Sequence, residues 1–438
     1  MQKKILHVPF TYYPDPCGGT EVYVAALCRF LNDAGIDHII AASGKVKAIY
    51  EHEGLRVHRF VIHPALTQEM MYGEGDPTAA QNFARVLDEE HPDLVHYHSF
   101  TPAVSVLCLR ETQKRSIPAL VTYHTPTASC QRGTLMRWGT APCDGEMRPG
   151  RCAACFLQSH GMSKPLAWVA SFISPVTQPL ALLPGLPNSV RAVLRATPLM
   201  TGRIDATREW WAGMVRVIAL CEWTKQLLLL NGVPGSKINK VRHGLPAPFE
   251  NRAAVRASNT PLKLAFLGRM DVNKGIDLLI QALRLAPELS VTLDLFTIAP
   301  QGDDALGRKL MSLAKEDARI CFRAPVPAGE VVNTLRGYDA LVVPSRWFET
   351  GPLVILEAFA AGIPVLGSNL GGIPEWVMHE RNGLLVPEPT PTAWRDALSR
   401  LALEPGLLTR LQAGVHPPRT MREVAAEMKL IYEEILAA

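Results

Sequence analysis

Short apolar runs alternate with longer amphipathic ones along most of this chain, and the alternation occurs twice. In the first half, residues 4–10, 38–42, 94–98, 119–124 and 215–220 read as buried strands. Residues 20–34, 78–89, 103–115 and 222–231 read as helices. In the second half, strands are expected at 262–267, 293–298, 340–343 and 365–367, and helices at 276–285, 307–318, 354–361 and 393–403. Strands that alternate with helices pair in parallel, because each crossover returns the chain to the same edge of the sheet. Two such series, parted by a proline-rich polar stretch at 246–261, predict two doubly wound α/β domains. The boundaries expected are 1–245 for the first domain, 246–261 for a linker and 262–415 for the second domain. A helix within 416–438 closes the chain and packs back on the first domain. Ligands in such sheets bind beyond the carboxyl ends of the strands, so a cleft between the domains is where function is sought.

Composition excludes several classes. Hydrophobic residues make up 47% of the 438 and charged residues 20%, an ordinary globular balance. A formal net charge of +4 gives no case for nucleic acid. The opening MQKKILHVPF has an apolar run too short for a secretory signal and reads as a first core strand. A cytoplasmic protein without a disulfide framework is expected. Cys17, Cys28, Cys108, Cys221 and Cys321 are scattered and read as small buried hydrophobes.

Two stretches of the second half carry chemistry. Gly268-Arg269 ends an expected strand, and Asn273-Lys274-Gly275 opens the next helix. Two cations beside a helix N-terminus make a diphosphate site, although a solvated basic turn has the same residues. The second stretch is PSRWFETGPLVILEAFAAGIPVLGSNLGGIPE, residues 344–375. Its loop carries Glu349, then Gly351-Pro352, and enters a helix whose one acid, Glu357, has apolar residues on both sides. A carboxylate there needs polar partners, and ribose hydroxyls would serve. Gly351 allows close backbone approach to a ligand, and unpaired N–H groups at the helix start suit phosphate or sugar oxygens.

The pair Glu349 and Glu357, followed by AFAAGIPVLGSNLGGIPE, resembles the signature of retaining glycosyltransferases of family 4, with the GT-B fold of two facing Rossmann-like domains. GRMDVNKG is similar to that family's basic pair. GGTEVYVAALCRFLNDAG resembles its first glycine loop and helix, and HYHSF and TYHT its two histidine-bearing strand ends. CEWTKQLLLLNGV and KINKVRHGL resemble the segment that closes the first domain. Departures are Cys221, where relatives often have Ser, and His243-Gly244, where many have Asn-Gly. The resemblance leaves out about residues 130–212.

What the resemblance implies is specific. Arg269 and Lys274 hold the donor diphosphate and stabilise charge on the departing nucleotide. Glu357 binds the ribose. Glu349 sits by the transferred sugar, with Gly268, Gly351, Pro352 and Leu353 around the donor. Gly18 and Gly19 approach from the other domain, and His124 contacts the sugar near the reaction centre, with His98 as a supporting group. A UDP- or GDP-sugar is the implied donor, and a glycan or polyprenyl-linked glycan the implied acceptor, in cell-surface polysaccharide synthesis. No metal is implied for catalysis. Other GT-B enzymes, such as sucrose or glycogen synthases and sugar-nucleotide epimerases, share these features, and a noncatalytic nucleotide-sugar-binding protein is the alternative of another class. A dinucleotide oxidoreductase lacks support, since Gly18-Gly19 does not extend to the spaced glycine fingerprint.

The atypical middle stands apart. Cys130, Cys143, Cys152 and Cys155 fall in one glycine-rich stretch and end in Cys-x-x-Cys. They read as ligands of a structural zinc, as ligands of an iron–sulfur centre, or as four reduced thiols. From Arg132 to Arg216 there are ten basic residues against four acidic ones. Residues 165–190 carry no charge, yet five prolines argue against a membrane-spanning helix. With the basic residues around it, this stretch reads either as a face for an anionic membrane surface, at the inner side of the cell membrane, or as an amphipathic cover on the first domain.

Overall fold

The computed structural model describes residues 3–15, 18–32, 35–246, 261–298 and 305–437. Cys17, most of the expected linker and the last two residues of the helix expected at 20–34 lie outside them. The chain divides into two compact units, Met1–Arg242 with Val424–Ala438, and His243–Glu423.

The first unit is built on eight strands: β1 (Lys4–Val8), β2 (Asp37–Gly44), β3 (Ala48–His52), β4 (Leu55–Val61), β5 (Leu94–Tyr97), β6 (Ala119–Tyr123), then, beyond a small hairpin of β7 (Met136–Arg137) and β8 (Ala141–Pro142), β9 (Arg216–Ala219) and β10 (Ile238–Lys240). The sheet order is β10-β9-β6-β5-β1-β2-β4-β3, parallel except for the edge pair of β3 and β4. β1 lies between β2 and β5, so the order reverses there. Its central strands β5 and β6 are fully buried and β1 is so beyond Lys4, as a sheet covered on both faces requires. The closing helix, Met421–Ala437, contributes Tyr432, which is fully buried and donates to or accepts from His96 of β5 at 2.6 Å.

The second unit carries β11 (Leu262–Arg269), β12 (Val291–Ile298), β13 (Ile320–Arg323), β14 (Ala340–Val343), β15 (Val365–Ser368) and β16 (Gly383–Val386). All pair in parallel in the order β13-β12-β11-β14-β15-β16. That is the doubly wound order 3-2-1-4-5-6, whose switch point lies between β11 and β14. One face is closed by a core containing Leu279, Leu283 and Trp394, the other by one containing Leu356, Phe359 and Ile373.

The α/β reading holds, with local differences. The helix expected at 103–115 begins at Val106, because the Ser105 side chain caps it at the Leu107 N–H. The helix expected at 307–318 runs Ala305–Ala314. Seven strands are not expected from the sequence: β3, β10 and β13, which are short and partly exposed, the two-residue β7 and β8, β16 of four residues, and β4, whose run mixes basic and apolar residues. Cys28, Cys108 and Cys221 are buried as expected, but Cys321 is only half-buried, because β13 is an edge strand.

The regular elements between β8 and β9 are all helical, among them Pro149–Ser159, Lys164–Thr177, Asn188–Leu194 and Ala196–Ala212. Small residues pack its centre, among them Ala153, Ala154, Ala167, Ala170 and Ala196. Among the described residues no helix is long and apolar enough to cross a membrane.

Candidate functional site

In the second unit, the ends of β11 and β14 bring residues far apart in sequence to the switch point. After β11, the Asp271 carboxylate caps a short 3-10 turn by accepting from the Asn273 N–H at 2.8 Å. Gly275 follows at φ +70°, and a Cβ there would stand 2.1 Å from the Pro344 carbonyl oxygen just beyond β14. Only glycine lets the two strand ends approach so closely. Arg346 fastens the loops further: its N–H donates to the Asn273 carbonyl at 2.7 Å, and its guanidinium donates twice to Asp277 at 2.9 Å. That fork geometry holds direction as well as distance.

Lys274 is thereby set against Glu349. Its Nζ donates to Glu349 Oε1 at 2.7 Å, and the same oxygen accepts from Ser345 Oγ at 2.8 Å and Trp347 Nε1 at 2.7 Å. The ammonium also lies 5.7 Å from the centre of the Trp347 ring, a cation–π contact. Charge-assisted bonds of this kind contribute roughly 1.5–3 kcal/mol each. The glycine pair Gly371-Gly372 supports the Glu349 backbone: the Gly372 N–H donates to its carbonyl at 2.7 Å, and Gly371, at φ +61°, packs where a Cβ would reach 2.7 Å from its nitrogen. The sequence suggests cations for phosphates and carboxylates for hydroxyls as separate parts, whereas here Lys274 and Glu349 form one ion pair.

Arg269 ends β11 beside Gly268, exposed and, among the described residues, without an ion-pair partner. Gly351 has φ +135° and lies against Trp376 and His243, whose atoms would be 3.0 and 3.3 Å from a Cβ. Burial lowers the His243 pKa to about 4, so the ring is neutral. Pro352 caps the helix Leu353–Ala360, whose first N–H groups have no carbonyl a turn earlier. Glu357, on this helix, keeps partial exposure but has no side-chain hydrogen bond or ion pair among the described residues. Desolvation by its apolar neighbours raises its pKa to about 7. Ser345, Trp347 and Trp376 join the site without having been expected there. The signal for the first two was present, since hydrogen-bond donors stand two and four residues before Glu349.

In the first unit, Gly18 and Gly19 lie at the start of helix Gly19–Asn32, after β1. Glu21 accepts from the Gly18 N–H at 2.8 Å and from Thr11 Oγ1 at 3.0 Å, fixing the loop by the reciprocal half of a capping box. His124 follows β6 and meets His98, which follows β5, at 3.2 Å, while the Tyr23 ring meets it edge-on at 4.9 Å. Behind them runs an unpredicted row. His98 contacts His7 of β1 at 3.0 Å, and His7 contacts His38 of β2 at 2.9 Å. His96 lies alongside, bonded to Thr122 and Tyr432. Burial, then repulsion between neighbours, pushes the His7 and His98 pKa values well below 6.5. Burial takes His38 to about 4 and His96 to about 3. Neutral imidazoles each donate once and accept once, so the row has a single hydrogen-bond direction ending at His124. His7, His96 and His98 put nitrogens close enough for a metal, but their nitrogens are already engaged with one another, Thr122 and Tyr432. The sequence hint was four histidines in otherwise apolar strands.

The four clustered cysteines line one small cavity in the first unit, apart from the histidine row.

Residues 249–414 match the family model described as glycosyl transferases group 1, and residues 17–146 match that of glycosyltransferase family 4. Among curated proteins, the chain is similar to D-inositol 3-phosphate glycosyltransferases. It is 35% identical to that of Saccharomonospora viridis over 217 residues, covering 47% of this chain and 50% of the relative. It is 34% identical to that of Frankia alni over 235 residues, covering 50% and 57%. The chain thus spans about half the length of the curated relatives it matches. The fold is that of sucrose-phosphate synthase from Thermosynechococcus elongatus, with a TM-score of 0.65 at 18% identity and full coverage of both chains. It is also that of Anabaena HepE, solved in complex with UDP and glucose, with a TM-score of 0.64 at 14% identity, covering 99% of this chain and 100% of that one.

Proposed function

Because the chain belongs to the glycosyltransferases of group 1, family 4, we propose that it moves a sugar from a nucleotide-sugar donor to a glycan or lipid-linked glycan, with retention at the anomeric carbon. The observation that carries this reading is the set of groups at the switch point of the second unit: Lys274 paired to Glu349, Arg269 exposed at the end of β11, and Glu357 without a partner among the described residues. A donor supplies what these groups lack. Its diphosphate takes Arg269 and shares Lys274, and its ribose hydroxyls donate to Glu357. As the glycosidic bond to the diphosphate breaks, negative charge grows on the departing phosphate, and the two cations stabilise it there. Glu349, held on one oxygen by three donors, is presented in a fixed position to the hydroxyls of the sugar. The backbone from Gly351 to Leu353 lies beside it, and no metal is needed for this chemistry. HepE binds UDP and glucose, which supports a UDP-sugar as the first donor to test, ahead of a GDP-sugar. The residues proposed in the first unit are Gly18, Gly19 and His124, the last aligned by His98.

A lipid-linked acceptor is favoured by the helix Lys164–Thr177. Its small residues Ala167, Ala170, Ser171 and Ser174 are buried, while Leu166, Val169, Phe172, Ile173 and Val176 face solvent. Between positions 147 and 204 there are six basic residues and no acidic one. An apolar face in a cationic surround suits the inner, anionic surface of a cell membrane, where a polyprenyl-linked acceptor is found. Cell-surface polysaccharide synthesis is the corresponding role.

The test is donor turnover by the full chain with a panel of nucleotide sugars. Lys274→Ala and Glu349→Ala should each lower transfer by at least about a hundredfold, the usual cost of losing one charge-stabilising group, with circular dichroism unchanged. Full activity in both variants would overturn the assignment.

A further inference from the structure

We infer that Cys130, Cys143, Cys152 and Cys155 bind a single zinc ion, which ties the segment after His124 to the helical insertion.

The four cysteines come from three separate pieces of backbone. Cys130 lies just beyond the 3-10 turn Pro126–Ala128, and its N–H donates to the Pro126 carbonyl at 2.8 Å. Cys143 leaves β8, with its N–H on the Leu135 carbonyl at 2.8 Å. Cys152 and Cys155 occupy successive turns of the helix Pro149–Ser159. Their convergence is therefore a product of folding and does not follow from sequence proximity. All four line one cavity of about 40 Å³. That is room for one ion.

This part of the chain has little regular structure. β7 and β8 are two residues each, and Gly133, Gly139 and Gly145 all have positive φ. Leu135, Met136 and Met147 are buried here, and a structural zinc would add folding energy to what they supply.

The electrostatics point the same way. Four thiolates on Zn²⁺ leave two negative charges, and cations stand ready around the cavity. Arg132 Nε donates to Cys155 Sγ at 3.1 Å and also reaches the Cys155 carbonyl. Arg151, paired to Asp144, lines the same cavity. Arg203, half-buried, donates to the Thr127 carbonyl, three residues before Cys130. Such outer groups orient ligands and balance their charge in metal centres.

The four sulfurs stand further apart than a bound ion would hold them. Among the described residues, the trios of ligand atoms lying within 4.8 Å of one another are all in the histidine row and its neighbour Cys28. Zinc–sulfur bonds of about 2.3 Å require closer sulfurs. Loading therefore turns the cysteine side chains inward, with Arg132 remaining as a donor to Cys155 from outside. One zinc would then join the 3-10 turn two residues beyond His124 to the first helix of the insertion.

The test is metal content of the full chain, purified without oxygen from cells grown with zinc. One zinc per chain is expected, with all four thiols shielded from a thiol reagent until a chelator is added. Cobalt(II) exchanged into the site should give the intense absorption of tetrahedral cobalt with thiolate ligands. Cys152→Ser with Cys155→Ser should reduce bound zinc at least tenfold. If that variant fails to fold, the native protein's zinc stoichiometry and cobalt spectrum decide alone. Metal-free protein with four freely reactive thiols, a disulfide among the four, or bound iron in place of zinc would each overturn the inference. None of these readouts depends on sugar transfer, so the site can fail while the proposed activity stands, and the reverse.

Discussion

Glu357 is a single residue whose surroundings make a measurable demand. Its carboxyl titrates at about 7, above the usual 4.5, because apolar neighbours desolvate it. Ligand-free protein therefore holds a proton there below neutrality. Hydrogen bonds from ribose hydroxyls favour the ionised form and pull the pKa back down. Donor binding should release a proton, and affinity should rise as pH increases from about 5.5 to about 8. Titration calorimetry in buffers of unlike ionisation heat measures both. Glu357→Gln should flatten the profile and abolish the proton release, and a flat profile in the native protein would count against a ribose at this position. Glu357 was legible from its neighbours alone. The Lys274–Glu349 ion pair was not, since the two residues are 75 positions apart and only the pairing of β11 with β14 makes them adjacent.

At the scale of elements, one turn and one helix make the sharpest demands. Gly275 joins the end of β11 to the helix Ile276–Arg284 in a left-handed conformation, against the Pro344 carbonyl. Gly275→Ala adds strain and a collision at once, and should destabilise the second unit by about 2–4 kcal/mol in urea unfolding, with weaker donor binding through a displaced Lys274. A loss under about 0.5 kcal/mol, the size of an ordinary surface change, would mean the strand ends can separate without cost. The helix Lys164–Thr177 presents the opposite case, with large apolar side chains outside and alanines and serines inside. Phe172 and Val176 are 72% and 82% exposed, so replacing them disturbs no core. Phe172→Glu with Val176→Glu should reduce cosedimentation with anionic phospholipid vesicles at least tenfold while leaving thermal stability unchanged. Equal binding by the variant, or none by the native chain, would remove the membrane from the proposal. The sequence showed an uncharged, proline-broken stretch here. Which side of its helix turns outward depends on what packs against it, and hydrophobicity alone does not decide that.

For the molecule as a whole, acid stability follows from the buried histidines. His38 and His96 titrate at about 4 and about 3 in the folded chain, against 6.5 unperturbed. Each unit of depression corresponds to about 1.4 kcal/mol of preference for the neutral ring. With folded values below the unfolded one, stability is full above pH 6.5 and falls as the unfolded chain takes up protons that the folded chain refuses. The melting temperature should therefore drop steadily from about pH 6.5 to about pH 4, and His96→Gln, which can still bond Thr122 or Tyr432, should lessen the slope. A native protein as stable at pH 4.5 as at pH 7.5 would show that the row is not neutral in the fold. The sequence by itself determined the two-part α/β architecture, because strand and helix periodicities are local. It also singled out Arg269, Lys274, Glu349 and Glu357, the residues proposed for the donor, because they stand in short motifs at expected strand and helix ends. Only the tertiary structure decided the Lys274–Glu349 pair, the row from His38 to His124 and the convergence of the four cysteines. The first two join side chains from strands far apart in the chain, and the third joins three short pieces of one stretch; strand order and the packing of unlike segments set such contacts.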